Sequence, residues 1–172
     1  MINFDVIGHK QRIDVFTTRP DTVFGVSFMV LAPEHPLVLK ITNKEHLDDV
    51  KEYINQSRKR SARERMADTK HISGAFTGAY ADHPFTEEDI PIWISDYVLM
   101  DYGSGAIMAV PAGDQRDWDF ANHFGLPIPD IFKGVNLRDG ACTDKNAMLI
   151  NSSFLSGMTA EKAIHIICDR LE

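Results

Sequence analysis

What this sequence has little of narrows it first. Cysteine occurs twice, at Cys142 and Cys168, with no CxxC pair and no Cys/His cluster. A disulfide framework is excluded, and two free thiols in a reducing compartment are expected. No apolar run approaches the ~18 residues of a membrane span, and no secretory leader is visible. The expectation is a cytoplasmic protein with no membrane partner. Basic residues are in the minority, 18 against 25 acidic ones, for a net charge of −7. That excludes coating nucleic acid by bulk electrostatics, but not a nucleic acid whose end enters one pocket. The seven histidines are scattered without HExxH or HxH spacing, so no metal site is expected. GxSxG, Walker A and the dinucleotide-binding GxGxxG are all absent, and no cofactor is expected. Ser104, between two glycines, is conceivable as a nucleophile, but no histidine base lies close in sequence.

What is present suits one domain. The 172 residues are enough for a sizeable core, and no repeat, low-complexity tract or linker divides them. The chain enters a strand pattern almost at once, as a domain excised from a larger protein would. Phe4 to Val6 and Ile13 to Phe16 alternate around Gly8-His9-Lys10, which predicts a hairpin. Phe24 to Leu31 reads as a strand. Thr42 with Glu45 has capping-box spacing and predicts a helix through Leu47, Val50, Tyr53 and Ile54. Seven of the basic residues lie between Lys51 and Lys70, a solvated helix face or an RNA-backbone surface. Thr77 to Tyr80, Ile90 to Ile94 and Tyr97 to Met100 read as strands, 127–151 as irregular. A last helix, Thr159 to Leu171, carries Ile164, Ile167, Cys168 and Leu171 on one stripe. Strands predominate early, with helices inserted and appended, so an α+β domain with a closed or nearly closed sheet is expected.

Two stretches carry the chemistry. Thr17-Thr18-Arg19-Pro20-Asp21-Thr22 gathers three hydroxyls, a guanidinium and a carboxylate in one loop, the usual place for binding groups. Tyr102 to Pro127 begins with Gly103-Ser104-Gly105, where the chain can turn tightly or approach a ligand. Ala106 to Val110 then reads as a buried strand. Asp114 sits at an N-cap position with Asp117 three residues on, and Trp118, Ala121, Phe124 and Gly125 complete a helix and its stop. The two carboxylates satisfy the first-turn N–H groups, or one of them meets a cationic ligand. Together these groups suit a small substrate bearing an amine and an ester.

Phe16 to Gly25, Gly103 to Pro111 and Asp114-Gln115-Arg116-Asp117 together resemble the editing domain of leucyl-tRNA synthetases, and the likeness covers nearly the whole chain. Asp21 and the Met-Ala-Val-Pro wording set it apart from valyl and isoleucyl relatives. The resemblance implies a β-barrel-like core with peripheral helices. It also implies hydrolysis of leucine tRNA wrongly charged with norvaline, isoleucine or methionine, without a cofactor or metal. The implied partners are the 3′ end of the aminoacylated tRNA and the rest of the parent synthetase, with the isolated domain a monomer. Thr17, Thr18 and Arg19 match the threonine-rich wall, and Thr22 matches the residue that excludes leucine. Tyr102, Met108 and Val110 match positions lining the pocket for the terminal adenosine and the amino-acid side chain. Asp117 matches the carboxylate that holds the substrate α-ammonium, and is expected to be a surface-facing acid; Asp114 and Arg116 match supporting neighbours. Gly113 departs from the family, where histidine is common, and a larger side chain there is expected to crowd the pocket. The HIGH and KMSKS elements are missing, which implies that this stretch alone does not activate leucine. Two other readings stand beside this one: a non-hydrolytic aminoacyl-adenosine binding module, and a structural insertion that orients tRNA through its basic run.

Overall fold

A computed structural model describes residues 1–142, 144 and 146–171. The chain divides into two compact units. A sheet unit comprises Asn3–Phe16 and Phe28–Ile107; a helical unit comprises Met1–Ile2, Thr17–Ser27 and Met108–Glu172.

The strands are β1 (Ile2–Asp5), β2 (Arg12–Val15), β3 (Phe28–Leu31), β4 (Ala75–Asp82), β5 (Asp89–Ile94) and β6 (Ala106–Ala109). β1 and β2 form the predicted hairpin, and the remaining four are ordered β4-β5-β3-β6. β3 runs parallel to β5, with Met29 opposite Ile92 and Leu31 opposite Ile94. Every residue of β3 is buried, the continuous apolar run demanded of a strand covered on both faces. β5 instead alternates, turning Ile90, Ile92 and Ile94 inward. Its antiparallel pairing with β4 shifts register between Phe76 and Tyr80. There Gly78 has φ +74°, and the buried Thr77 hydroxyl donates to the Ile92 carbonyl at 2.6 Å, a local repair of the interrupted ladder.

The barrel-like closure expected from the sequence is corrected: the described strands make two open sheets. Among the described residues the hairpin is joined to β4 by the Val6–Ala81 bridge, and most strands are four residues long, too short to keep the continuous stagger a closed barrel requires. Two strand expectations also fail for local reasons. The first two residues of Phe24 to Leu31 are taken by a 3-10 helix, Pro20–Gly25, because Pro20 at its first position already has the required φ. Tyr97 to Met100 is a turn rather than a strand; the carbonyls of Asp96 and Val98 accept from a buried arginine, Arg65, instead of a neighbouring strand.

Helices α1 (Val38–Ile41), α2 (Leu47–Ser57) and α3 (Ala62–Ala67) complete the sheet unit. The capping box lies at Ser61 and Glu64, not at Thr42 and Glu45. The Thr42 hydroxyl donates back to the Val38 carbonyl at 2.6 Å, which removes it from capping duty. The helical unit contains α4 (Gln115–Phe124) and α5 (Ala160–Leu171). α5 buries Ala160, Ala163 and Ile167 and packs against Pro20–Gly25. Its stripe is therefore rotated from the expected one, leaving Cys168 exposed. Phe154 braces the same region: its ring lies edge-on to Phe24 with centroids 5.4 Å apart, and the Arg170 guanidinium sits 3.8 Å above it, a cation–π contact. Both cysteines are free thiols. No helix among the described residues is long and apolar enough to cross a membrane.

Candidate active site

The hydroxyl-rich loop is built by its own side chains. The Thr17 hydroxyl oxygen accepts the Arg19 amide at 3.0 Å. The Arg19 guanidinium then grips Asp21 as a fork, Nε to Oδ1 at 2.9 Å and Nη2 to Oδ2 at 2.8 Å. Asp21 is fully buried, while a third of the Arg19 side chain remains exposed. The bond to Asp21 raises the arginine pKa against the opposing effect of burial. Thr22 is buried; its hydroxyl donates to the Arg19 carbonyl at 2.9 Å, and its amide reaches the same oxygen at 3.2 Å. The loop therefore has fixed geometry before any ligand arrives. Thr17 is half-buried and Thr18 exposed.

The motif ends on Gly25 because nothing larger fits. A Cβ there would stand 2.7 Å from Ile131 Cδ1, closer than real carbon contacts, and a tight 3.1 Å from Val110 Cγ1. This close approach brings the end of the hydroxyl loop against Val110. The Ser27 amide continues the join, donating to the Ala109 carbonyl at 3.2 Å. Met108 and Val110 are both buried.

The acidic helix start has the predicted form in one respect and departs in another. Asp114 caps α4, its Oδ1 accepting the amides of Arg116 at 2.9 Å and Asp117 at 3.2 Å, and Gly125 ends the helix in the left-handed conformation. Arg116 is half-buried. Asp117 is not the surface-facing acid expected: it is only 4% exposed, and its Oδ2 accepts the Val110 amide at 2.8 Å. The chain turns sharply after β6, and this carboxylate satisfies an amide released from the ladder. Gly113 faces Phe132 and Val110. A Cβ there would meet Phe132 at 3.5 Å and Val110 at 3.8 Å, ordinary contacts that leave room for a side chain to start.

The helical unit thus contains Thr17, Thr18, Arg19, Thr22, Met108, Val110, Asp114, Arg116 and Asp117. Tyr102 belongs to the sheet unit, on the glycine loop, with its ring 71% exposed. In that loop Ser104 has no serine–histidine pairing. His35 Nδ1 accepts the Leu37 amide at 3.2 Å, and the Ser104 hydroxyl is directed to the Ala106 carbonyl at 3.5 Å. Burial lowers the His35 pKa, with the Ser104 contact opposing. Among the described residues no group of three or more His, Cys, Asp or Glu is placed to hold a metal ion.

Sequence reasoning missed the work done by two basic residues. Arg60 pairs with both Asp68 and Asp96. Arg65 is 6% exposed and bonds Glu34, Asp96 and Val98. The charge run hid this, since a buried arginine and an exposed one look alike in sequence.

A buried-acid helix start and a self-bonded threonine–arginine loop lie in one compact unit of a mixed α/β chain. Comparison with known proteins gives the family. The model for the leucyl-tRNA synthetase editing domain matches residues 1–172. The chain is 58% identical over 172 residues to leucine–tRNA ligase of Christiangramia forsetii, covering 99% of this chain and 18% of that protein. It is 50% identical to the corresponding enzyme of Bdellovibrio bacteriovorus, over 99% of this chain and 21% of that protein. A solved structure, the ternary complex of Agrobacterium radiobacter K84 agnB2 LeuRS with tRNA and LeuAMS, superposes with a TM-score of 0.69 at 34% identity, covering 99% of this chain and 19% of that one. The chain belongs to the leucyl-tRNA synthetase editing-domain family, and spans about a fifth of the length of the relatives it matches.

Proposed function

We propose that this chain is an aminoacyl-tRNA deacylase that hydrolyses the ester of leucine tRNA wrongly charged with norvaline, isoleucine or methionine, as the proofreading part of a leucine–tRNA ligase. An aminoacyl ester is already activated, so the protein need only place a water and stabilise a tetrahedral oxyanion. Thr17 suits that duty. Its oxygen accepts the Arg19 amide, which orients the hydroxyl and leaves its proton to donate to the water or the oxyanion. Thr18, exposed beside it, supplies a second hydroxyl. Asp117 holds the substrate α-ammonium and fixes the ester in line, a positioning effect. Met108 and Val110 form the apolar lining for the amino-acid side chain. Asp114 and Arg116 support the helix start. Tyr102 offers an exposed ring suited to stacking on the terminal adenine. The partners on this reading are the 3′ end of the charged tRNA and the remainder of the synthetase.

Thr22 is the sieve. A synthetic pocket separates side chains differing in one methylene or its placement by only ~1–3 kcal/mol, so a second site that excludes leucine is needed. Threonine is stiff at χ1, and the hydroxyl bond to the Arg19 carbonyl locks it further, so its methyl has one position. The observation that carries this reading is the loop that binds itself, Thr17 to Arg19 to Asp21 and Thr22 back to Arg19, followed by Gly25 packed against Val110, whose amide Asp117 accepts. Leucine tRNA carrying isoleucine or leucine, presented side by side, tests it: the isoleucyl ester is cleaved and the leucyl ester is spared. Equal cleavage of both, or of neither, refutes the proposal.

In the tRNA-orienting alternative the working surface over 58–65 narrows to the exposed Arg58, Lys59 and Arg63. Arg60 and Arg65, central to the basic run, are committed to carboxylates and carbonyls within the sheet unit.

A further inference from the structure

Arg65 is buried in a chain where most cations lie at the surface, and each of the bonds it makes goes to a turn. Nη1 donates to Glu34 Oε1 at 2.7 Å, in the turn that leaves β3. Nε donates to the Asp96 carbonyl at 2.7 Å and Nη2 to the Val98 carbonyl at 2.9 Å, in the turn that leaves β5. A planar guanidinium can hold several acceptors at once in fixed directions, which an ammonium cannot. One side chain of α3 therefore sets the separation of two turns.

Both turns converge on the glycine loop. From the β3 side, the Ala32 amide donates to the Gly105 carbonyl at 2.8 Å, and the His35 ring, next to Glu34 in sequence, lies against Gly105. From the β5 side, Met100 follows Val98 by two residues and packs onto Gly105, where a Cβ would lie 2.6 Å from its sulfur and 3.3 Å from His35 Cδ2. Gly105 also has φ +72°, so the loop has a shape that only glycine adopts without strain at that point. The bonds inside the loop are few: the Tyr102 amide to the Leu99 carbonyl at 3.2 Å, and the Gly105 amide to the Tyr102 carbonyl at 3.1 Å. Its position is imposed from outside.

We propose that Arg65 is a positioning residue for tRNA binding. By clasping Glu34, Asp96 and Val98 it holds the Tyr102–Gly105 loop, and with it the exposed Tyr102 ring, in the pose that receives the terminal adenosine. The inference rests on the deacylase reading for its ligand, while the clasp itself is independent of it. Ranked by sequence, Arg65 is one more member of a basic run; its role is to shape the loop rather than to contact phosphate.

The test compares wild type with Arg65→Met and Arg65→Lys in two measurements. Amide hydrogen exchange is read at Tyr102 and Gly105, with Met29 and Ile92 in the central strands as internal references. Loss of charge-assisted bonds is expected to speed loop exchange about tenfold or more in Arg65→Met, with partial recovery in Arg65→Lys and no change at the references. Steady-state deacylation of isoleucyl-tRNA is expected to show KM raised about tenfold with kcat within about twofold, the pattern of lost uniform binding. A merely structural role would instead lower thermal stability and the active fraction and leave KM unchanged. If Arg65→Met does not fold, Glu34→Gln, which weakens one arm of the clasp, replaces it in both measurements. Loop exchange equal to wild type, or faster exchange spread evenly over loop and references, overturns the clasp. A faster loop with an unchanged KM overturns its role in binding. A wild-type chain inactive on every ester refutes the deacylase reading, and loop exchange then decides the clasp alone.

Discussion

Replacing Asp117 by alanine and by asparagine separates two duties of one carboxylate. Asp117 is buried and accepts the Val110 amide at 2.8 Å, so alanine leaves a buried N–H without this acceptor. That costs about 2–3 kcal/mol, the upper part of the range for an unsatisfied buried amide. For a chain of this size each kcal/mol lowers Tm by about 2–4 °C, so Asp117→Ala melts roughly 5–10 °C below wild type. Asparagine keeps an oxygen for Val110 and nearly the same volume, and loses only the charge. A charge-assisted bond is about twice as strong as a neutral one, so Asp117→Asn falls by about 2–4 °C. Deacylation follows a different order. On the proposed reading both variants lose the ammonium partner, and breaking a desolvated charge pair costs ~2–5 kcal/mol, so both are expected to slow by more than about thirtyfold. Thermal melts and single-turnover hydrolysis of isoleucyl-tRNA read the two effects separately. Near-normal hydrolysis by Asp117→Asn would place the amine anchor elsewhere and leave Asp117 only as the brace of Val110.

Thr22→Ala is expected to cleave leucyl-tRNA while keeping its activity on isoleucyl-tRNA; Thr22→Val, which retains the branch but not the bond to Arg19, is expected to spare the leucyl ester and to lose about 1 kcal/mol of stability, and parallel time courses with both esters check this. Asp21→Asn breaks the fork with Arg19 and should cost about 3 kcal/mol, the low end for a buried pair because Arg19 is partly exposed to solvent; urea melts of the variant read the loss. His35 has its pKa lowered by burial, so its neutral form favours the folded state: the contribution is complete above the unfolded value of about 6.5 and is lost as the pH falls below it toward the folded value. Tm measured from pH 7.5 down to pH 5.5 should therefore fall less steeply in His35→Gln than in wild type. Gly113→Ala meets only ordinary contacts and should melt within about 1 kcal/mol of wild type, as unstrained substitutions at surface-accessible sites do; a loss of several kcal/mol would contradict the space seen there.

Legibility in the sequence followed the range of the signal. The hairpin around Gly8, the strand after Gly105 and helix α4 were readable because turn residues, alternation, the Asp114 cap and the Gly125 stop all act within a few residues of one another. The 3-10 helix of Pro20–Gly25 was hidden because an apolar Val23-Phe24 pair reads on into β3; Pro20 only permits the helical turn, and the bond from Thr22 back to Arg19 that accompanies it is not visible in sequence. The expectation of a closed or nearly closed sheet came from the early run of strands and again from the family likeness, and counting strands could not correct it. Closure depends on how the hairpin meets β4, and among the described residues that is one bridge. Within the candidate site, residue types were legible and burial was not. Asp117 and Arg65 both read as surface charges, since their acceptors and donors, Val110 at seven residues and Glu34 at thirty-one, are set by tertiary packing.

The central claim is that a self-bonded threonine–arginine loop beside a buried carboxylate cleaves wrong esters and spares the right one. The direct measurement is release of free amino acid by the wild-type chain from one leucine tRNA preparation charged in parallel with isoleucine and with leucine. The account predicts rapid loss of the isoleucyl ester, with the leucyl ester decaying at the rate of spontaneous hydrolysis. Loss of both esters at the same enzyme-dependent rate, or of neither above background, would contradict it.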